Sequence, residues 1–584
     1  MTLIAGIISR KPDGSVPRKV CEILDQTISR DPRDKRTVFE DQRSFFVKVD
    51  VIAFGEPSSH VGSDGSFTLL AGEPLLDHNS DEKWQSREID TAAIHDAFSR
   101  SDLNILQKAN GVFSAVHYQP AAKTVDLIAD KLGLRPLYFY IDDEYLIFAN
   151  ALRILEEIEE IPKRMDVAAV TQMVGLGYAL GERTPYADVH MLRAAEVVTV
   201  TENSVSRNKY WRWDEIEPSA AAEDELLTEL YHRFNDAVAR RIRNDRSTAA
   251  YLSGGLDSRC IVAALRDQNV GVHTFNFARP HTQDQIFGFQ FASGIGAVHK
   301  EVPKEAGDLV PNYSSLMSEA LTAYSRGLSP AERPAIVWSG EGGSVALGHV
   351  HLTEKIVGLM RAKRIDEVID EHLRRESASV SPKIFRTELS YDLIRSLNEG
   401  IKEELSNFNC NDPARNFYFH LLLNDQHRKL AGHFENIDLH RLEFQLPFFD
   451  SSFLALIASI PIDLCLRHKL YVKWLSHFPP AVIAIPWQVY PGHQPCPVPV
   501  PDGFDYQWAD KYQSAEHSAQ KRRVMKQASE MLSAADFPKE ILNRANLRLA
   551  RLVHATGLRN YQYMIGPAHT YHVYWQKCGG KYVL

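Results

Sequence analysis

Apolar and polar positions alternate in short runs along roughly the first two hundred residues of the chain. "LIAGIIS", "RSFFVKVDVIAFGE", "FTLLAGEPL", "GVFSAVHYQP", "KTVDLIAD", "PLYFYIDDEYLIFAN" and "AEVVTVTENSVSRNKYW" are each bounded by turn residues. A period of two broken by Gly, Pro, Asn and Asp predicts β-strands, and their close spacing predicts packed antiparallel sheets. The acidic, Ala-rich stretch "EIEPSAAAEDE" (215–225) has linker composition, so the chain divides into residues 1–213 and 214–584. Beyond the linker the period lengthens. A helix, "DELLTELYHRFNDAVARRIR", is followed by the strand "STAAYLS", a glycine turn, the helix "RCIVAALRDQ", the strand "VHTFNFA" and a helix over 284–297. This β-turn-α-β-α order predicts a parallel sheet that binds a nucleotide at the carboxyl ends of its strands. No internal repeat or low-complexity tract interrupts the pattern.

Composition narrows the class without changing that picture. The 584 residues are 44% hydrophobic and 24% charged, as in a globular protein of two or three domains. The formal charge of -9, from 66 basic and 75 acidic residues, gives no reason to expect a nucleic-acid partner. Six scattered cysteines without a C-x-x-C pair argue against a zinc ribbon or a disulfide framework and suit a reducing compartment. With neither a signal-peptide pattern nor an 18-residue apolar run, the expected setting is cytoplasmic, away from membranes.

The chemistry concentrates in "YLSGGLDSRC" (251–260). Two adjacent glycines admit a ligand close to the backbone, and the helix behind them favours an anion. The Walker pattern G-x-x-x-x-G-K-[ST] is absent, and "GLGYALG" (175–181) only approaches the dinucleotide fingerprint and follows no strand. Ser253, Gly254, Gly255, Leu256, Asp257 and Ser258 instead offer hydroxyls and amides for a pyrophosphate and one carboxylate, Asp257, for Mg²⁺. A glycine turn that merely joins strand to helix would leave the same trace.

This loop resembles that of the N-type ATP pyrophosphatases, which split ATP between its α and β phosphates to adenylate a substrate. Further motifs, in order, resemble asparagine synthetases: "TQDQIFGFQFASGIGAVHKEV" (282–302, with Asp284, Gly296 and His299), "WSGEGGSVALG" (338–348), "LEFQLPFFD" (442–450), and "KLYVK" followed by "FPPAVIAIPWQ". "DKLGLRPLYFY" (130–140) resembles the same family's N-terminal domain. The resemblance implies an N-terminal glutaminase-like (Ntn-hydrolase-like) antiparallel sandwich and a C-terminal ATP-pyrophosphatase-type parallel α/β synthetase domain, a mixed α/β and α+β chain.

Departures from the family are informative. Ala5 stands where the glutamine-attacking cysteine would be, with four residues ahead of it, and Ala71 stands where an oxyanion-steadying amide would be. The N-terminal domain is therefore expected to make no ammonia. In the synthetase half, Ser344 replaces a second acidic residue on the Mg²⁺ side, and Gln488 replaces a lysine, with Lys469 and Lys473 as candidate substitutes.

The resemblance assigns Ser253, Gly254, Gly255, Leu256, Asp257, Ser258 and Gly340 to ATP and pyrophosphate. Leu252 and Phe275 to Phe277 would flank adenine, where an ordinary buried strand reads equally well. Glu341 would lie beside the activated carboxylate, and Glu443 would be a catalytic base or positioning group, or else a structural ion pair. Lys473 is the candidate cation. His349-Val350-His351 alternates as a strand would and lacks the partners of a metal site. Asp425 and His427 fit a cavity wall or surface better than a triad. "KRIDEVIDEHLRR" (363–375) reads as a solvated helix face.

Members of the resembled group without an ammonia supply, the lasso-peptide macrolactam synthetases and beta-lactam synthetase, couple an adenylated carboxylate to an amine of the same molecule. The expected function is thus ATP- and Mg²⁺-dependent macrolactam formation in a precursor peptide, in antibiotic-type biosynthesis, with a leader protease and leader-binding protein as partners. An ammonia-dependent or small-molecule synthetase, or a non-catalytic scaffold that binds precursor, would share much of this sequence.

Overall fold

The protein is described from a computed structural model covering all residues except 1, 52, 78–85, 244, 303–311, 329–333, 335, 502, 505 and 507–512. The alternating runs of the first region form two six-stranded sheets, as their period requires. One carries, in order, His190–Met191, Tyr138–Ile141, Tyr145–Ala149, Thr2–Ser9, Ser44–Asp50 and Arg36–Glu40, and its pairings are antiparallel. The other carries Val205–Lys209, Glu196–Val200, Thr124–Ala129, Phe113–Gln119, Phe67–Gly72 and Ser59–Val61, again antiparallel. Ile4, Phe46, Leu69, Val116, Leu127 and Phe148 fill the space between the sheets.

The second region opens with the helix Glu223–Ile242. Its sheet is parallel throughout, in the order Val298–Glu301, Gly271–Asn276, Ser247–Tyr251, Ile336–Trp338, Glu443–Gln445. Successive strands add to one side of Ser247–Tyr251 and then cross to the other. The strand order therefore reverses between Ser247–Tyr251 and Ile336–Trp338, and a crevice opens beyond their carboxyl ends. Helices Asp257–Asp267 and Gln283–Ile295 connect the first three strands, the latter ending on Gly296 at φ 71.

The two regions interlock. Tyr582–Val583 pairs in parallel with Met165–Asp166, and Tyr571 Oη lies 2.5 Å from Thr171 Oγ1, so the end of the chain returns to the N-terminal half. Two sequence readings change here. His349 is no strand residue: it follows the short helix Gly343–Ala346 with φ 49, buried, and is stacked on Tyr418. The helix Ile365–Arg375 is solvated on one face only, because Val368, Ile369, Glu371 and His372 are buried. Among the described residues, no helix is long and apolar enough to cross a membrane.

Candidate functional site

The crevice at the strand reversal is a cavity of about 790 Å³. Its walls include Leu252, Ser253, Asp257 and Ser258 after the first strand, Phe275 to Phe277 after the second, and Ser339 to Gly342 after Ile336–Trp338. The loop is held in shape by a pair of serines: Ser258 Oγ accepts from the Ser253 amide at 3.0 Å and lies 3.1 Å from Ser253 Oγ. Its glycines answer to contact as much as to ligand. A Cβ on Gly254 would lie 2.7 Å from Asp284 Cα, one on Gly340 2.7 Å from the Ser258 amide, and one on Gly343 2.6 Å from Asp257 Cγ. The Gly254 amide donates to Asp284 at 2.9 Å and the Gly255 amide to Ser253 Oγ at 3.2 Å. The expectation of two bare glycine amides is thus corrected: the donors left for an anion are the orphan amides that open the helix Asp257–Asp267.

Behind that helix Arg259 is fully buried, and no described carboxylate pairs with it. Its guanidinium donates instead to the carbonyls of Gly255, Val482, Ile485 and Pro486 at 2.9–3.1 Å. Burial lowers its pKa to about 10, so it stays charged at neutral pH and places a fixed cation behind the loop. It also ties the segment 482–486 to the loop, and the Gln488 amide adds a bond to Gly254 O at 2.9 Å.

Asp257 is the centre of the site. Its Oδ1 accepts from Tyr471 Oη at 2.7 Å and from Ser344 Oγ at 3.0 Å, and its Oδ2 accepts from the Ser344 amide at 3.0 Å. Burial nevertheless raises its pKa, the mark of an enclosed carboxylate with no cationic partner among the described residues. Hard oxygen donors of this kind fit Mg²⁺, and Oδ2, which accepts a single hydrogen bond, keeps a lone pair for it. Ser344, where a second acidic group was expected, serves as donor to the first. Glu341 opens to the cavity yet is enclosed by protein mass. That enclosure and the charge of Asp257 raise its pKa, with Lys429 pulling the other way.

The remaining assignments divide. Leu252 and Phe275 line the cavity but are almost wholly buried, the Leu252 amide continuing the sheet to Phe275 O at 3.0 Å. Phe277, Tyr251 and Tyr313 add aromatic wall. Glu443 does not reach this cavity. It is fully buried and paired with Arg135 of the N-terminal half at 2.5 Å, which realises the ion-pair alternative in place of catalysis. Lys473 is corrected too: its ammonium is at the surface on Glu223, because the helix Lys469–Trp474 turns Tyr471 inward. Asp425 pairs with Lys429 at 2.8 Å, while buried His427 packs near Gly133. A π-helical turn over Leu421–Gln426 sets the phase of the next helix. Gln426, Lys429, Leu430, His433 and Asn436 then share one face toward the cavity. Sequence reasoning missed Lys429 and Tyr471. Tyr471 sits between the two lysines favoured as cations, and that alternation was the available signal.

In the N-terminal half the two lost catalytic positions do not converge. Ala5 packs in the layer with Leu3 and Ile7, whereas Ala71 lies between the sheets with Leu69. Both are fully buried, and the Arg87 guanidinium fills the strand end by donating to Thr2 Oγ1 at 2.8 Å and Leu70 O at 3.0 Å.

Two family models match parts of the chain. Residues 76–211 match the glutamine amidotransferase domain family and residues 229–338 the asparagine synthase family. A putative glutamine-hydrolysing asparagine synthetase 2 of Methanocaldococcus jannaschii is 24% identical over 275 residues, 44% of this chain and 53% of that protein. The glutamine-hydrolysing asparagine synthetase 3 of Bacillus subtilis is 24% identical over 199 residues, 32% of each chain. The amidase chyE of Penicillium rubens is 21% identical over 229 residues, 38% of this chain and 33% of that protein. The matches thus span about half or less of the length of these relatives. A solved glutamine phosphoribosylpyrophosphate amidotransferase of B. subtilis aligns at 10% identity and a TM-score of 0.25, covering 52% of this chain and 91% of that one.

Proposed function

We propose that the protein forms an amide by ATP-dependent adenylation of a carboxylate, with an amine that enters from the synthetase cavity itself, and that its product is a macrolactam in a peptide. The observation that carries this reading is the closed path between the two halves. Where they meet, Arg135–Glu443 (2.5 Å), Arg243–Glu73 (2.6 Å), Arg241–Asn110 O (3.1 Å) and Gln445–Glu73 (2.7 Å) fill the interface. They leave a void of only about 10 Å³ next to Phe444, itself a cavity wall. Together with Ala5, this favours an amine from elsewhere over ammonia made by the N-terminal half.

In the proposed reaction a substrate carboxylate oxygen attacks the α-phosphorus of ATP, the bond to the bridging oxygen breaks, and pyrophosphate leaves. The helix-start amides at Asp257 would face the phosphates, with the buried Arg259 charge behind the loop. Asp257 would hold Mg²⁺, which neutralises phosphate charge. The amine then attacks the acyl carbon and AMP departs, with Glu341, its pKa raised, suited to accept the amine's proton. Holding both reactants in one cavity is worth ~7–11 kcal/mol of barrier at best. Mass spectrometry of a candidate precursor peptide incubated with ATP and Mg²⁺ tests the reading: loss of one water with release of AMP is expected. A one-dalton decrease that needs added ammonia would instead establish asparagine-synthetase-like amidation.

A further inference from the structure

A second, narrower cavity of about 180 Å³ adjoins the loop, walled by Ser253, Gly255, Asp257, Gln488, His468 and His493. His468 Nδ1 and His493 Nδ1 are 2.6 Å apart, so one proton lies between two imidazoles. The arrangement is held at a backbone cost: Arg467 and His468 are consecutive non-glycine residues at φ 57 and φ 62. Tyr490 and Tyr471 stack on the His468 ring, each with centroids 5.6 Å away. His468 is almost wholly buried with no partner for its Nε2, and a Cβ on Gly348 would lie 2.4 Å from that atom. Gln488, beside the pair, carries no charge. Building on the pyrophosphate-releasing chemistry above, we infer that the His468–His493 pair is a binding group for the departing pyrophosphate, taking up one proton as the anion arrives. The neutral pair has one Nδ1–H donating to the other Nδ1. One added proton leaves that bond in place, goes to the one Nε2 that lacked a hydrogen and spreads a positive charge over the two rings.

The groups around the pair set its resting state. Burial and His493 hold His468 at about 3, burial, then Arg375 and Arg467, lower His493 while Glu354 raises it, and His349 lies behind. Tyr471, Tyr490 and Asp257 complete the surroundings. The empty pair is therefore neutral at pH 7, and only an anion reverses the balance. The test is calorimetry of the full chain with magnesium pyrophosphate at pH 6, 7 and 8, in buffers of differing ionisation enthalpy. Uptake approaching one proton is expected at pH 8, with affinity falling up to about tenfold per pH unit. His493→Gln, at a half-buried position, should abolish the uptake and weaken binding about tenfold at pH 6. His468→Asn, which suits the positive φ, should do the same. The ligand's own titration is common to all these proteins. If His493→Gln and His468→Asn leave affinity and uptake unchanged while Asp257→Asn abolishes binding, the loop reading stands and this inference is wrong. If the unmodified chain does not bind magnesium pyrophosphate, both are overturned.

Discussion

The strand end at Thr2–Ala5 and the loop Ser253–Asp257 are the two places where the resembled family carries out chemistry, and the chain treats them oppositely. In the first, Ala5 is buried in packed surroundings and the Arg87 guanidinium donates to Thr2 Oγ1 at 2.8 Å. In the second, a carboxylate whose pKa is raised by burial is kept at the edge of a cavity of about 790 Å³. A buried carboxylate held only by neutral donors costs stability, whereas the apolar packing at Ala5 carries no such cost. Between these two places the halves are joined by buried ion pairs, Arg135–Glu443 and Arg243–Glu73.

The largest effect expected is at Asp257. Asp257→Asn keeps the shape and the bond from Ser344, yet pyrophosphate release from ATP should fall by about 10³-fold or more. Unchanged release would erase the contrast between the halves. Glu443→Gln strands Arg135 in the interface and should cost about 3–5 kcal/mol in chemical denaturation, while the folded fraction still releases pyrophosphate. A loss of turnover without a loss of stability would restore Glu443 to catalysis.

The next effect is pH-dependent and confined to the N-terminal half. Burial pushes the Asp126 carboxyl up to about 6, against about 3.9 in an unfolded chain. The folded state therefore binds this proton more tightly, and its contribution to stability, present below pH 4, is lost as pH rises through 6. Asp126→Asn retains an acceptor for the Thr199 hydroxyl, which donates at 2.6 Å. Its stability relative to the parent should rise by about 2–3 kcal/mol between pH 4 and pH 8. Thermal denaturation at both pH values checks this, and a parallel shift of the two proteins would count against it. The smallest effect is a null one. Ala5→Cys should release no glutamate from glutamine, because its side chain lies in a different layer from Ala71 and its amine is not the chain's own.

Much of this was legible in the sequence because it depends on local rules. A period of two makes sheets, Gly-Gly after an apolar run makes a turn into a helix, and Asp257 beside serines at a helix start announces an anion and a cation together. The missing thiol and amide at Ala5 and Ala71 were readable as single letters. Residue type could not distinguish Glu341 from Glu443, both carboxylates near apolar runs. Only packing across the interface gave Glu443 an arginine from residue 135 and left Glu341 facing open space. Helical phase, shifted by a π turn, brought Lys429 to the wall, and the tilt of Lys469–Trp474 sent Tyr471 inward and Lys473 out. Sequence determined which groups were present and which local shapes carried them. The tertiary structure decided which of them meet, because burial and charge pairing are set by neighbours hundreds of residues away.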